Sequence, residues 1–275
     1  MTNFPRAAVI GNPVSHSLSP KLHGYWLKRY GIEGEYTALQ VMEDALETTL
    51  RTLPSQGFIG ANVTIPHKVN VMQFADKITD RATLIGAANT LTFKEDGRIF
   101  ADNTDGYGFI ANLRQGAPEW DPKRGPAAIF GAGGAARAII VALADAGVPE
   151  IIVANRTRAK AEALRSDFGA RVSVVDWVQA DKMLEDANTV INTTSLGMVG
   201  AHDFKVSLDE LSPKAVVTDI VYNPLQTPFL IAAAKKGCTT VDGLGMLLHQ
   251  GVPGFERWFG KRPDVDDETR RAVLA

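Results

Sequence analysis

Residues 127–136 read Ala127-Ala128-Ile129-Phe130-Gly131-Ala132-Gly133-Gly134-Ala135-Ala136. Four apolar residues suited to a short buried strand run straight into a glycine turn, and the alanine- and isoleucine-rich stretch behind it has the composition of a helix. In that setting Gly131, Gly133 and Ala136 form the G-x-G-x-x-A pattern of a dinucleotide-binding turn. Gly131 permits the tight turn, Gly133 lets the backbone approach a pyrophosphate, and Ala136 keeps helix and strand close. The free N–H groups that open the helix face the anion. Glycine turns also follow strands that bind nothing, so the signal rests on strand, glycines and helix coinciding.

The next expected strand, residues 150–154, ends at Asn155-Arg156-Thr157-Arg158-Ala159-Lys160. An NAD site usually has an acid here for the ribose 2′-hydroxyl, whereas an NADP site needs cations for the 2′-phosphate. This segment has no acid and three cations, and a guanidinium meets phosphate in a bidentate, charge-assisted fork. A solvated helix face is the plain alternative. Further apolar strands are expected at 189–192, 215–220 and 239–241. Asn192-Thr193-Thr194-Ser195-Leu196-Gly197-Met198 and Tyr222-Asn223-Pro224 follow two of them, where ligands of open α/β sheets bind. Turn chemistry explains both equally well.

Upstream, short β-rich runs at 7–10, 35–41 and 58–65 alternate with helical stretches at 19–30, 43–53 and 68–74, the rhythm of an α/β sheet. Residues 89–93 and 98–101 read as a hairpin through Asp96-Gly97. The turn-rich residues 116–125 look like the approach to a second domain. At 275 residues the chain is long enough for two domains, with a cleft expected between them. A formal charge of −2 leaves no overall positive field for nucleic acid. With Cys238 alone there is neither an intrachain disulfide nor a multi-thiolate metal site, and no metal is expected. No apolar run is long enough to span a bilayer, so a cytoplasmic location is expected.

Three polar clusters stand in the first hundred residues. Gly11-Asn12-Pro13-Val14-Ser15-His16-Ser17-Leu18-Ser19-Pro20 crowds hydroxyls into a loop before a helix, a place suited to a carboxylate. Ser19 also reads as a cap for that helix, while Ser17 has no such local role. Asn62-Val63-Thr64-Ile65-Pro66-His67-Lys68 brings amide, hydroxyl and ammonium groups to a strand end, and Asp102-Asn103-Thr104-Asp105-Gly106 follows a hairpin strand. Oxidising an alcohol by hydride transfer needs a group to take the hydroxyl proton, which Lys68 and Asp105 can supply. Both residue types are more often plain surface charges.

Together with Ala88-Asn89-Thr90, the Gly131 turn, Asn155-Arg156-Thr157 and Gln250-Gly251, these motifs resemble the shikimate dehydrogenase family in content and order from Gly11 to Gly251. The resemblance implies a substrate domain over residues 1–105, completed by C-terminal helices from about 243 to 275, and a Rossmann NADP domain over 106–242. It implies that Ser17 and Ser19 hold a substrate carboxylate, that Thr64, Asn89, Asp105 and Gln250 surround its hydroxyls, and that Lys68 and Asp105 are the catalytic pair. Gly131, Ala132, Gly133, Gly134, Ala135, Asn155, Arg156, Thr157, Lys160, Tyr222 and Gly243 would contact NADP, with Arg158 a further contact. The reaction implied is reversible NADPH-dependent reduction of 3-dehydroshikimate to shikimate, by a monomer or homodimer, in aromatic amino-acid biosynthesis. A quinate-type dehydrogenase and a noncatalytic NADPH-binding regulator are the alternatives. His23-Gly24 and Ala88 depart from the family pattern without removing a chemical group.

Overall fold

The computed structural model describes residues 4–275. Up to Asp105 the elements are β1 (Arg6–Gly11), α1 (Ser19–Arg29), β2 (Glu35–Gln40), α2 (Leu46–Thr52), β3 (Phe58–Val63), β4 (Lys77–Ile78), α3 (Asp80–Ile85), β5 (Thr90–Phe93) and β6 (Ile99–Asp102). There follow α4 (Asp105–Gly116), β7 (Ala127–Phe130), α5 (Gly134–Ala146), β8 (Ile151–Ala154), α6 (Arg158–Phe168), β9 (Val172–Val175), β10 (Thr189–Asn192), β11 (Val216–Asp219), α7 (Pro228–Lys235), β12 (Thr239–Val241), α8 (Leu244–Phe259) and α9 (Asp267–Leu274). One compact unit holds the chain up to Asp105 together with Leu247–Ala275, and the other is Gly106–Met246.

The first unit is built on a six-stranded mixed sheet in the order β2-β1-β3-β5-β6-β4. Strand β1 is parallel to β2 and β3, while β5 is antiparallel to both β3 and β6. Successive side chains of β1 point to opposite faces. Ala8 and Ile10 join Leu46, Leu50 and Leu53 on one side, and Ala7 and Val9 join Tyr36 and Trp258 on the other. A central strand buried on both faces is why residues 7–10 are apolar without alternation.

Residues 68–74 depart from the expected helix and form turns with a 3₁₀ segment, Asn70–Phe74. The Lys68 carbonyl accepts the Ala88 N–H at 2.7 Å, so it is withdrawn from a helical ladder, and Val69, Asn70 and Val71 are weak helix formers. Residues 43–53 are likewise split, into a 3₁₀ turn at Glu43–Ala45 and then α2. Strands β4 and β9 and helix α3 are additional to the elements expected from sequence.

The second unit is a parallel six-stranded sheet in the order β12-β11-β10-β7-β8-β9. Numbered within the unit, this is the doubly wound order 3-2-1-4-5-6, whose direction of winding reverses between β7 and β10. The turn-rich residues 116–125 lie inside this unit and do not link it to the first. Trp120 is buried in its core, and its indole Nε1–H donates to Thr189 Oγ1 at 2.9 Å.

Candidate active site

Lys68, Asn89, Asp105 and Gln250 meet in the first unit. The backbone bond from Ala88 to Lys68 sets the lysine beside the start of β5, and β6 delivers Asp102, Asn103, Thr104 and Asp105 to the same end of the sheet. Lys68 Nζ lies 2.6 Å from Asp105 Oδ2, with the carboxylate 4% and the lysine side chain 20% exposed. Asn89 Nδ2 donates to the other carboxylate oxygen, Oδ1, at 2.8 Å and lies 2.8 Å from Gln250 Oε1. The orientation of the Asn89 amide is fixed from its other end, because Asn89 Oδ1 accepts from Thr104 N at 2.8 Å and from Thr90 Oγ1 at 2.9 Å. Asn103 holds the turn into Asp105 by accepting the Asp105 N–H at 3.0 Å. The result is an ammonium paired with a buried carboxylate among amide groups. Such a pair can exchange a proton with a substrate hydroxyl while its hydrogen bonds stay within the site.

The serine loop differs from its sequence reading. The helix cap position is Leu18, without a side-chain cap bond, and Ser19 already lies in the first turn of α1. It is Ser17 that has the local role, its Oγ accepting the Ser19 N–H at 3.2 Å. Ser19 is buried and hydrogen-bonds the Tyr36 hydroxyl, whose pKa burial pushes well above the ordinary value against the opposing effect of that bond. Tyr36 donates to Asn62 Oδ1 at 2.7 Å, and Asn62 Nδ2 donates to the Asn89 carbonyl at 3.1 Å. A buried polar chain thus joins the serine loop to Asn89. No sequence motif marks Tyr36, which stands between Glu35 and Thr37 in a strand of mixed polar and apolar residues. Thr64 sits against Gly11, where a Cβ on the glycine would come within 2.3 Å of Thr64 Cγ2.

His67 is structural. It is fully buried, and Nε2 lies 2.7 Å from the Val41 carbonyl oxygen, so that nitrogen carries the proton. No group of three or more side chains that could hold a metal occurs among the described residues.

In the second unit, Gly131 has φ +111°, and a Cβ there would meet Thr193 Oγ1 at 2.5 Å. Only glycine satisfies both demands. Nothing lies within 4 Å of a Cβ built on Gly133, whereas Ala136 is fully buried. The turn from Ala132 through Gly134 and Ala135 therefore leaves open space at the start of α5. Its glycines and N–H groups fit a pyrophosphate. At the end of β8, Asn155 Nδ2 donates to the Thr157 carbonyl at 2.8 Å, and Thr157 precedes α6 without spending its hydroxyl on a cap. Arg156 and Lys160 are exposed and make no ion pair among the described residues, so both remain available for a phosphate. Arg158 is different, being bound to Asp176 at 2.6 Å and Glu162 at 2.8 Å.

The loops after β10 and β11 are tied together. Asp219 accepts from Asn192 Nδ2 at 3.0 Å, from the Val221 N–H at 2.9 Å and from Thr227 Oγ1 at 2.8 Å. Burial raises the Asp219 carboxyl to about 6 despite these bonds. Tyr222 is half-buried in the second of these loops. At Gly243 a Cβ would lie 2.5 Å from the Ile220 backbone, so the chain after β12 runs close against the β11 exit.

The chain matches three family models, described as the shikimate dehydrogenase substrate binding domain over residues 9–91, shikimate / quinate 5-dehydrogenase over 119–221 and the shikimate 5′-dehydrogenase C-terminal domain over 243–274. It is 65% identical over 275 residues to a shikimate dehydrogenase (NADP(+)) of Cereibacter sphaeroides, covering 100% of this chain and 99% of that relative. Shikimate 5-dehydrogenase from Thermus thermophilus, solved with NADP(H) and shikimate, is similar with a TM-score of 0.88 and 36% identity, with 98% of each chain covered. Quinate dehydrogenase from Corynebacterium glutamicum, solved with NAD, is similar with a TM-score of 0.90 and 30% identity over 98% of this chain and 99% of that one.

Proposed function

From the membership of this chain in the shikimate dehydrogenase family, we infer that it catalyses the reversible NADPH-dependent reduction of 3-dehydroshikimate to shikimate in aromatic amino-acid biosynthesis. The observation that carries the reading is the 2.6 Å Lys68–Asp105 pair with Asn89 and Gln250 gathered around it. A noncatalytic binding protein has no need of such a pair. Bound NADPH supplies the hydride. Lys68, as ammonium, gives a proton to the carbonyl oxygen as the alcohol forms, and solvent restores it. Asp105 holds Lys68 and orients the reacting group, while Asn89, Gln250 and Thr64 bind the remaining hydroxyls. Ser17 and Ser19 anchor the carboxylate.

Arg156, Lys160, Asn155 and Thr157 bind the 2′-phosphate, the turn from Gly131 to Ala135 binds the pyrophosphate, and Tyr222 and Gly243 line the nicotinamide end. The unpaired Arg156 supports NADP, in contrast to the NAD of the quinate dehydrogenase neighbour. The described residues include no helix long and apolar enough to cross a membrane. With Cys238 as the one cysteine, this supports a cytoplasmic reaction.

A label test addresses the reaction. Shikimate recovered after reduction with NADPH carrying deuterium at both C4 positions of the nicotinamide should carry one deuterium on the ring carbon that had been the carbonyl. Unlabelled shikimate formed at the same rate would contradict direct hydride transfer.

A further inference from the structure

Asp102 lies three residues before Asp105 and is 2% exposed, yet it carries a carboxylate. Two helices converge on it. Thr79, which caps α3, donates its hydroxyl at 2.8 Å, and Arg81 on α3 donates Nη2 to both oxygens at 3.0 and 2.9 Å. Arg257 on α8 donates Nη2 to Oδ2, and the Asn103 N–H donates to Oδ1 at 2.7 Å. Burial raises the Asp102 carboxyl, but the bonds from Arg257, Thr79 and Arg81 outweigh it and leave the group below the ordinary carboxylate range. The charge is therefore held in place at neutral pH.

Arg257 is seven residues beyond Gln250, two turns along the same helix, so both side chains leave α8 on one face. Pro253 stands between them, and a proline inside a helix removes a ladder bond and loosens the segment it interrupts. The Gln250 segment thus depends on anchors outside the helix. These are Thr104 Oγ1, which donates to the Gln250 carbonyl at 2.9 Å, Trp258 Nε1, which donates to the Leu91 carbonyl at 3.0 Å, and the Arg257–Asp102 pair. Among them the Thr104 bond and the ion pair tie α8 to the strand end that also delivers Asp105, and the ion pair does so two turns further along the helix.

We propose that Arg257 is a positioning residue for substrate, acting through Asp102 to hold the Gln250 side chain in register with Asn89 and Asp105. This rests on the reading that Gln250 contacts substrate. Arg257 touches no reacting group, so its loss should weaken substrate binding and leave the chemical step and the cofactor site alone. Arg81 shares Asp102 but sits on α3, and its loss should leave substrate binding unchanged.

The test is a double-mutant cycle on the full chain with Arg257→Ala, Gln250→Ala, the double variant and Arg81→Ala, reading KM for shikimate, kcat and NADP affinity. Arg257→Ala should raise KM by about five- to fifty-fold, in the range of coupled neighbouring residues, with kcat and NADP affinity near wild type. In the Gln250→Ala background the same change should add less than about twofold. Equal effects in both backgrounds, or an unchanged KM in Arg257→Ala, would overturn the proposal while leaving the role of Gln250 intact. A wild-type KM in Gln250→Ala would overturn both. If Arg257→Ala does not fold, Arg257→Lys keeps one cationic donor toward Asp102. It should show a smaller KM rise that again vanishes in the Gln250→Ala background, and a rise that persists there would count against the proposal.

Discussion

Replacing Arg156 and, separately, Arg158 with alanine divides the basic segment after β8 into a phosphate reader and a structural cation. Arg156 is exposed and makes no ion pair among the described residues, so a 2′-phosphate gains its guanidinium without breaking a salt bridge there. A hydrogen bond to a charged group contributes about 1.5–3 kcal/mol, which corresponds to a loss of roughly 10- to 150-fold in NADP affinity for Arg156→Ala. NAD lacks the phosphate, and its affinity should barely change. Arg158 would have to leave Asp176 at 2.6 Å and Glu162 at 2.8 Å to reach a phosphate, so Arg158→Ala should change NADP affinity by no more than a few-fold. Calorimetric titration of each variant with NADP and NAD at one fixed ionic strength measures all four values. Equal NADP and NAD losses in Arg156→Ala would refute the phosphate contact. A larger NADP loss in Arg158→Ala than in Arg156→Ala would refute the division of roles.

Lys68→Ala should lower turnover by roughly 10²–10⁴-fold with NADP affinity retained, the usual contribution of a positioned acid, and near-normal turnover in folded protein would remove Lys68 from the chemistry. Ser17→Ala should chiefly raise KM for shikimate, since an anchoring hydroxyl binds ground and transition states alike; a fall in kcat at constant KM would argue against anchoring. His23 is stacked on Tyr36 at a ring separation of 3.9 Å, and burial lowers its pKa from 6.5 to about 3. Only the unfolded state then gains a proton as pH falls below 6.5, so stability is lost downward through the window from 6.5 to about 3. Between pH 7.5 and 5.0 the loss through His23 is about 2 kcal/mol, and paired urea unfolding of wild type and His23→Gln should show a pH dependence smaller by that amount in the variant. The same pH dependence in both proteins would contradict a neutral buried His23.

The parts of the fold that were legible in sequence are those whose physics is local. A glycine turn between an apolar strand and a helix identifies itself, because φ +111° at Gly131 and the closeness of Thr193 leave no room for another residue. The Asp96-Gly97 hairpin and the apolar central strand β1 are of the same kind. Strand β4 has two residues and β9 four at a sheet edge, too short for their periodicity to stand out. Residues 68–74 were misread because the Ala88 N–H takes the Lys68 carbonyl, a contact across 20 positions. The site follows the same division. Motifs mark Lys68, Asn89 and Asp105 as polar groups at strand ends, but their meeting at 2.6–2.8 Å is a product of sheet order. Ser17 and Ser19 exchanged their local roles because the helix begins one residue earlier than a Ser19 cap requires. Nothing in the spacing of Arg158 and Asp176 foretold that they would pair.

The most direct measurement of the central claim is the initial rate of the purified protein, followed at the absorbance of the reduced nicotinamide, with shikimate or quinate against NADP or NAD. The account predicts that kcat/KM is highest for shikimate with NADP, falls when NAD replaces NADP because Arg156 loses its phosphate, and falls again with quinate. A kcat/KM for quinate with NAD equal to or above that for shikimate with NADP would contradict it.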